Sequence, residues 1–232
     1  MGDEMPLPAF LNAKHVVLEE TEPRFRPQST GGAAQRSKRL ALSIEAQEQS
    51  NWCWAAVSCS VSHFYDESAW TQCAIANLIW GRGDCCGGEA SNPSTCNAPW
   101  KLDEALSVTS NFVSLVSADL PAPPIAFSAV QREIDHGKPV ATRVRWRGGG
   151  GHFQAIVGWT LGASGSEYIV ISDPIYRETT IRVRDFAARY QAGGEWTHVY
   201  FTTAASENSG GGGIVLQSKR LPADADEDLV GA

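Results

Sequence analysis

A cysteine between two tryptophans, within the segment Asn-Trp-Cys-Trp-Ala-Ala at 51–56, is the feature that most restricts how this chain folds. Small and apolar residues follow Cys53 at helical spacing, so the motif predicts a helix over 50–65 with Ser50 as its N-cap. The positive end of a helix dipole favours the nucleophilic thiolate. Cysteine is also a common core residue, so a purely structural Cys53 is the competing interpretation.

A run of four glycines ends at His152, and an apolar segment typical of a strand follows it. Glycines leave the imidazole uncovered and let a substrate backbone approach, so Gly150 and Gly151 are candidate cleft residues. A second strand pattern over 167–172 ends at Asp173. If the two strands form a hairpin, Asp173 returns to the end where His152 starts and accepts its imidazole N–H.

A nucleophilic cysteine also needs hydrogen-bond donors for the oxyanion of the tetrahedral intermediate. Gln47 lies six residues before Cys53, close enough to place an amide N–H beside the thiolate, and Gln49 competes for that role. The Cys53 backbone N–H would be the second donor. Trp52 and Trp54 are expected to pack the helix against the sheet, and Trp52 is also a candidate residue of the substrate cleft.

These segments together resemble papain-like cysteine peptidases, and most closely the small bacterial branch with an Asn-Trp-Cys-Trp-Ala-Ala box, which includes AvrRpt2-type and C39-like peptidases. The resemblance spans about 44–203 and rests on residues 47–65, 72–76, 85–86, 96–97, 137–140, 151–159 and 172–174. It implies a papain-like fold, a polypeptide substrate, and no cofactor or metal.

The resemblance also assigns a role to each candidate residue. Cys53 would be the nucleophile, His152 the general base and acid, and Asp173 the residue that orients His152. The six-residue offset matches the family, which favours Gln47 over Gln49 as the oxyanion-hole donor.

Helical patterns dominate the first half of the chain and strand patterns the second, which predicts an α+β fold: an N-terminal helical half whose Cys53 helix packs on a C-terminal antiparallel sheet. After the Cys53 helix, we expect helices over 71–80, from Pro99, over 128–136 with Ser128 as cap, and over 185–190. Strands are expected over 111–117, 139–146, 153–161, 167–172, 179–184 and 196–203.

Residues 1–40 lack periodicity and are predicted to be a leader, a propeptide or a disordered arm. The peptidase domain is predicted to span 41–208, and 209–232 a glycine linker with an acidic disordered tail. The segment Ser-Lys-Arg-Leu occurs at 37–40 and again at 218–221, so both copies are candidate cleavage points.

Six cysteines allow several states. If Cys53 is the nucleophile, five remain, and four of these cluster around an irregular loop: Cys73, Cys85, Cys86 and Cys96. We favour disulfides within this cluster over free thiols. A metal site that uses Cys59 and His63, four residues apart on one helix face, is least favoured because no C-x-x-C pair is present. Disulfides indicate an oxidising destination, yet no Sec signal is evident, so bacterial cytoplasm and export by a specialised secretion system both stay open.

A net charge of −7 without any basic cluster argues against nucleic-acid binding. No apolar run approaches the roughly 20 residues that a membrane-spanning helix needs. Arg143, Arg145 and Arg147 alternate along a strand and are expected to form a solvated face. We expect a monomer.

Two functions other than a cysteine peptidase stay open at this point. One is a non-catalytic papain-like module that binds a peptide in its cleft. The other is an amidase that cuts cell-wall peptides with the same Cys–His chemistry. The presence of Cys53, His152 and Asp173 together favours an enzyme, because a binding module has no need to keep all three.

Overall fold

The computed structural model describes residues 36–65, 69–86, 96–118 and 123–208. The helices are α1 (Cys53–Phe64), α2 (Gln72–Trp80), α3 (Leu102–Val108), α4 (Phe127–Asp135) and the short α5 (Ala205–Asn208). The strands are β1 (Ser37–Arg39), β2 (Phe112–Ser117), β3 (Val140–Trp146), β4 (Gly151–Leu161), β5 (Glu167–Asp173), β6 (Arg177–Arg182) and β7 (Gly194–Thr202), and a 3₁₀ turn at Val183–Asp185 follows β6.

All of these strands belong to one antiparallel sheet with the order β2-β7-β3-β4-β5-β6, and β1 pairs with β4. The long strand β4 pairs with β3 along its first half and with β1 along its second half, and it also pairs with β5. Helices therefore precede the larger part of an antiparallel sheet, which confirms the predicted α+β class.

The two faces of the sheet carry two separate hydrophobic clusters. On one face, α1 packs against α2, α3 and β4, and its small residues Ala55, Ala56 and Ser58 are fully buried. Small side chains allow this close approach of helix and sheet. On the other face, α4 buries Phe127, Val130 and Ile134, which recur at the spacing of one helical face.

The predicted boundary between residues 40 and 41 is wrong, because the preceding residues belong to the sheet. β1 pairs its Ser37–Arg39 with Thr160, Trp159 and Gly158, and the next residue, Leu40, is buried. One copy of the Ser-Lys-Arg-Leu repeat is thus part of the folded domain and not an exposed cleavage point. Residues 1–35 and 209–232, with the second copy, lie outside the described residues.

Three local predictions also need correction. Trp52, not Ser50, occupies the N-cap of α1, and the Ser50 hydroxyl instead accepts a hydrogen bond from Asn97. Ser128 lies inside α4, whose N-cap is Ala126. No helix forms over 185–190, since Ala187 adopts φ +63° and ends helical geometry there.

The four clustered cysteines lie in two pairs at disulfide-bonding distance, Cys73 with Cys86 and Cys85 with Cys96. The Cα–Cα separations are 5.8 and 5.5 Å, in the usual range for disulfides. Cys53 and Cys59 are the free cysteines. In the part of the chain that the structure describes, no helix has the length and apolar character needed to cross a membrane.

Candidate active site

Cys53 is the first residue of α1, and its side chain is nearly buried between the helical layer and the sheet. The Ala56 backbone N–H donates to the Trp52 carbonyl, so regular helical bonding begins immediately around the thiol. The Cys53 thiol faces His152 closely enough to be one of the groups that raise the pKa of the His152 imidazole. The predicted position of Cys53, in the first turn of the helix, is therefore the observed one.

His152 is the second residue of β4, and its ring is held on three sides. Its Nε2 lies 2.9 Å from Asp173 Oδ2, the indole of Trp146 stacks on it at 5.9 Å between centroids, and Tyr176 meets it edge-on. Burial alone would lower the pKa of His152, but the charge and hydrogen bond of Asp173 outweigh it and raise that pKa. The site thus favours the imidazolium form.

Asp173 is the last residue of β5, and the antiparallel register that pairs Ala155 with Ser172 brings it to the end of β4 that carries His152. Its Oδ2 also accepts a hydrogen bond of 2.7 Å from the Tyr190 hydroxyl. Burial opposes ionisation of Asp173, yet His152 and these donors hold the pKa of its carboxyl below the ordinary value. The hairpin expected from the sequence is present.

Gln47 lies beside this arrangement, because its backbone N–H donates to the carbonyl of Pro174, the residue after Asp173. Its side-chain Nε2 donates to the Gln49 carbonyl at 2.9 Å and to the Ser50 carbonyl at 2.6 Å. Both amide protons are therefore engaged inside the loop, and the buried Oε1 has no partner among the described residues. Gln49 contributes a backbone carbonyl here.

Trp52 is completely buried, and its indole N–H donates to the Cys96 carbonyl at 2.8 Å. The prediction that Trp52 lines the substrate cleft is therefore wrong, since it has no surface to offer a substrate. Gly150 and Gly151 are half-buried at the start of β4. Gly150 adopts φ +74°, and a Cβ on Gly151 would lie 2.7 Å from the Arg143 guanidinium, so both positions favour glycine.

The alternating arginines form the predicted solvated face only in part, because Arg147 is exposed and Arg145 is half-buried but Arg143 is buried. Arg143 is only 7% exposed, and its guanidinium packs against Gly151 and donates to Thr197. Arg145 conforms better to the prediction, because it is partly exposed and pairs with Glu195.

The segment that follows the Cys85–Cys96 pair holds the loop in front of α1. Asn97 accepts from the Asn51 backbone N–H at 2.9 Å and donates to Ser50 at 2.9 Å, and the Asn51 side chain donates back to the Asn97 carbonyl. The position of the Cys53 backbone N–H therefore depends on a segment that is covalently tied to residue 85.

Cys59 lies away from the site and is not suited to nucleophilic chemistry. Burial, with the nearby charges of Glu45 and Glu48, raises the pKa of its thiol to about 12. Glu45 and His63 lie next to it, and these three residues are among the groups whose spacing suits a metal ligand set. The His63 Nδ1 lies 2.9 Å from Glu45 and its Nε2 lies 2.8 Å from the Trp70 carbonyl, so both ring nitrogens have protein partners.

Sequence reasoning missed three aromatic residues around the triad: Trp146, Tyr176 and Tyr190. Each reaches the site from a different element, β3, the turn after β5 and the irregular segment after the 3₁₀ turn. A lone aromatic residue has no local pattern that distinguishes a site neighbour from a core residue, so the sequence held no signal for them.

A family model described as the papain-like cysteine protease AvrRpt2 matches residues 36–191. With the fold and the site described above, this match defines the class of protein: a papain-like cysteine protease, which is a hydrolase. More particularly, because the match covers more than half of the chain, the protein belongs to the AvrRpt2 family of papain-like cysteine proteases. No curated protein matches the sequence.

Solved structures of papain-like peptidases are also similar to this chain, at low identity. A protein described as a C39-like peptidase from Bacillus anthracis is 9% identical with a TM-score of 0.44, over 73% of this chain and 98% of that one. The bromelain protease from Ananas comosus, in complex with the E64 inhibitor, is 11% identical with a TM-score of 0.43, over 72% of this chain and 99% of that one.

Proposed function

We propose that this protein hydrolyses peptide bonds through a Cys53–His152–Asp173 triad and a covalent thioacyl-enzyme intermediate. One observation carries the proposal: the buried His152 ring has Asp173 2.9 Å from its Nε2, and Cys53, at the start of α1, is among the groups that raise the pKa of that ring. The raised pKa of His152 favours its imidazolium form. In the proposed reactive state this imidazolium is paired with a Cys53 thiolate.

In the acylation step, the Cys53 thiolate attacks the scissile carbonyl carbon, and the carbonyl π electrons move onto oxygen. The Cys53 backbone N–H at the start of α1 donates to this oxyanion. As the tetrahedral intermediate collapses, the C–N bond breaks and the His152 imidazolium gives its proton to the leaving amine. The products are a free amine and a thioester on Cys53.

In the deacylation step, neutral His152 removes a proton from water as the water oxygen attacks the thioester carbon. The C–S bond then breaks, which releases the carboxylic acid and restores the thiolate–imidazolium pair. Asp173 keeps its negative charge throughout and holds the imidazole in the required orientation.

Gln47 is proposed as the second oxyanion donor, with one conformational requirement. Its two amide protons are engaged with the Gln49 and Ser50 carbonyls, so one of these bonds must open before the amide can reach a substrate oxygen. The unpartnered Oε1 of Gln47 means that rotation of this amide loses no bond at that atom among the described residues. We propose that substrate binding induces this rotation.

The substrate of a protease is a polypeptide, and we propose that its backbone enters beside Gly150 and Gly151. The protein is proposed to act as a monomer, without cofactor or metal. The two cysteine pairs favour an oxidising destination, which we propose is reached by a specialised secretion route from a bacterial cell.

The test compares wild type, Cys53→Ala and Cys59→Ala on a fluorogenic peptide library and on cell-wall fragments. Cys59→Ala is the matched control, because it removes the other free cysteine. We expect Cys53→Ala to lose several orders of magnitude in hydrolysis rate and its iodoacetamide labelling together, and Cys59→Ala to retain both.

Full activity in Cys53→Ala would refute the assignment of the nucleophile. Wild-type hydrolysis of cell-wall fragments alone would identify an amidase. If Cys53 is labelled but no substrate is cleaved, the peptide-binding module is the function that remains.

A further inference from the structure

Tyr190 lies in the irregular segment between the 3₁₀ turn and β7, where it is only 2% exposed. Its hydroxyl donates to Asp173 Oδ2 at 2.7 Å, and the same oxygen lies 2.9 Å from His152 Nε2. Tyr190 therefore shares with His152 the carboxylate oxygen that orients the imidazole.

The other oxygen of Asp173 is held by the backbone. Oδ1 accepts from the N–H groups of Ile175 and Tyr176 at 2.7 and 2.9 Å. These two bonds fix the position of Oδ1 and do not depend on side chains. The remaining rotation and charge distribution of the carboxylate are then set at Oδ2, where Tyr190 acts.

The ring of Tyr190 also supports the site, through its contact with Trp146. It stacks on Trp146 with 13° between the ring planes, and Trp146 in turn stacks on His152 with 18° between the planes. Phe186 packs edge-on against Tyr190 and helps to hold its ring in place. One residue thus contacts both the carboxylate and the aromatic ring that supports the imidazole.

We propose that Tyr190 is a positioning residue of the catalytic triad, which acts on His152 through Asp173 and Trp146. This inference rests on the proposed peptidase function, for which the orientation of His152 matters.

The Tyr190 hydroxyl is one of the groups that lower the pKa of Asp173, and burial with the Asp173 charge raises the pKa of Tyr190 well above its ordinary value, so the phenol stays a donor. The titratable groups that face Asp173 are His152, Tyr176 and Tyr190, and Cys53 faces His152 from α1. Without the Tyr190 hydroxyl, the pKa of Asp173 rises, and the Asp173 carboxylate stabilises the His152 imidazolium more strongly.

The experiment measures kcat, KM and the pH profile of kcat/KM for wild type, Tyr190→Phe and Tyr168→Phe. Tyr168→Phe is the matched control, since it removes a hydrogen-bonded tyrosine hydroxyl of the same sheet, which pairs with Arg182 and not with Asp173. We expect Tyr190→Phe to lower kcat about tenfold with KM within about twofold. Both limbs of its bell-shaped profile should move to higher pH, while the Tyr168→Phe profile matches wild type.

A second variant covers the case in which Tyr190→Phe does not fold. Replacement of Tyr190 alone by 3-fluorotyrosine keeps the ring and makes the phenol a stronger donor, so both limbs should move to lower pH. If the profiles of these variants coincide with wild type, or if Tyr168→Phe shifts equally, the proposed role of Tyr190 is overturned.

The pH profile of Cys53 alkylation by iodoacetamide, read by mass spectrometry, separates this inference from the proposed function. It reports on the Cys53–His152 pair without turnover. If wild type cleaves no substrate but the alkylation profiles still shift as stated, the peptidase function fails and the role of Tyr190 stands. If wild type cleaves peptides but the alkylation profiles of the Tyr190 variants match that of wild type, the peptidase function stands and the proposed role of Tyr190 fails.

Discussion

The replacement Asp173→Asn is a stringent test of the triad, because the hydrogen bonds around Asp173 leave no orientation that suits an amide. Oδ1 accepts two backbone N–H groups, and Oδ2 accepts the Tyr190 hydroxyl and faces His152 Nε2. If the asparagine keeps its oxygen toward the backbone, its NH₂ meets the His152 N–H. The imidazole must then change tautomer, and its other nitrogen no longer accepts a proton. If the amide flips, its NH₂ faces the two backbone donors of Ile175 and Tyr176.

The loss of activity in Asp173→Asn depends on which hydrogen-bond partners the amide leaves unsatisfied. The flipped amide leaves two buried donors unsatisfied, each at about 1–3 kcal/mol, so the cost is about 2–6 kcal/mol. The unflipped amide avoids this cost but holds the wrong tautomer, a fault that costs about 10⁴ in kcat in the serine-protease case. We therefore expect kcat/KM of Asp173→Asn to fall by about 10² to 10⁴, no less than for Asp173→Ala.

Asp173→Asn should also change how activity and stability depend on pH. Asp173 raises the pKa of His152, so the imidazolium persists to higher pH in wild type. Asparagine carries no charge, and the alkaline limb of the kcat/KM profile should move to lower pH. Because the folded pKa of Asp173 is lowered, its contribution to stability is present above the unfolded pKa of about 3.9 and lost as the pH falls through the folded value. The gap in Tm between wild type and variant should therefore narrow below about pH 4.

The assay is continuous cleavage of a fluorogenic peptide between about pH 5 and 10, with Tm from circular dichroism. Asp135→Asn is the control, since Asp135 accepts the Trp159 indole N–H through Oδ1 and an amide oxygen can do the same. An Asp173→Asn enzyme within about threefold of wild type, with its alkaline limb unmoved, would show that the orientation of His152 does not depend on this carboxylate.

Two further predictions concern the scaffold. Gly158→Ala should lower the free energy of unfolding by about 1–3 kcal/mol, because the new Cβ would lie 2.7 Å from the Lys38 carbonyl oxygen and displace β1. Chemical denaturation measures this change, and Gly83→Ala, where a Cβ would meet nothing within 4 Å, is the control. Equal stability of the two variants would contradict the pairing of β1. Reduction of the Cys85–Cys96 and Cys73–Cys86 pairs should lower Tm by at least about 5 °C and reduce peptidase activity, because the segment at Cys96 and Asn97 holds the loop before Cys53. Mass spectrometry verifies that the thiols are free. Unchanged Tm and activity in the reduced protein would show that the loop holds its position without the covalent link.

Local patterns in the sequence were sufficient for the residues that occupy the ends of regular elements. Cys53 begins a helix whose small residues follow it at helical spacing, His152 begins a strand after glycines, and Asp173 ends the next strand. A helix start and the two ends of one hairpin are set by near neighbours in the chain, so their positions could be predicted within two residues.

The tertiary structure alone decided the contacts between residues that are distant in sequence. β1 pairs with β4 across more than a hundred residues, so its three residues carry no signal of their own. The sequence alone therefore predicts a leader, a propeptide or a disordered arm at this position. Tyr190 reaches Asp173 from an irregular segment, Arg143 is buried against Gly151, and Trp52 is buried against Cys96. Side-chain packing of this kind depends on which elements meet in space, and a residue's type and near neighbours do not determine that.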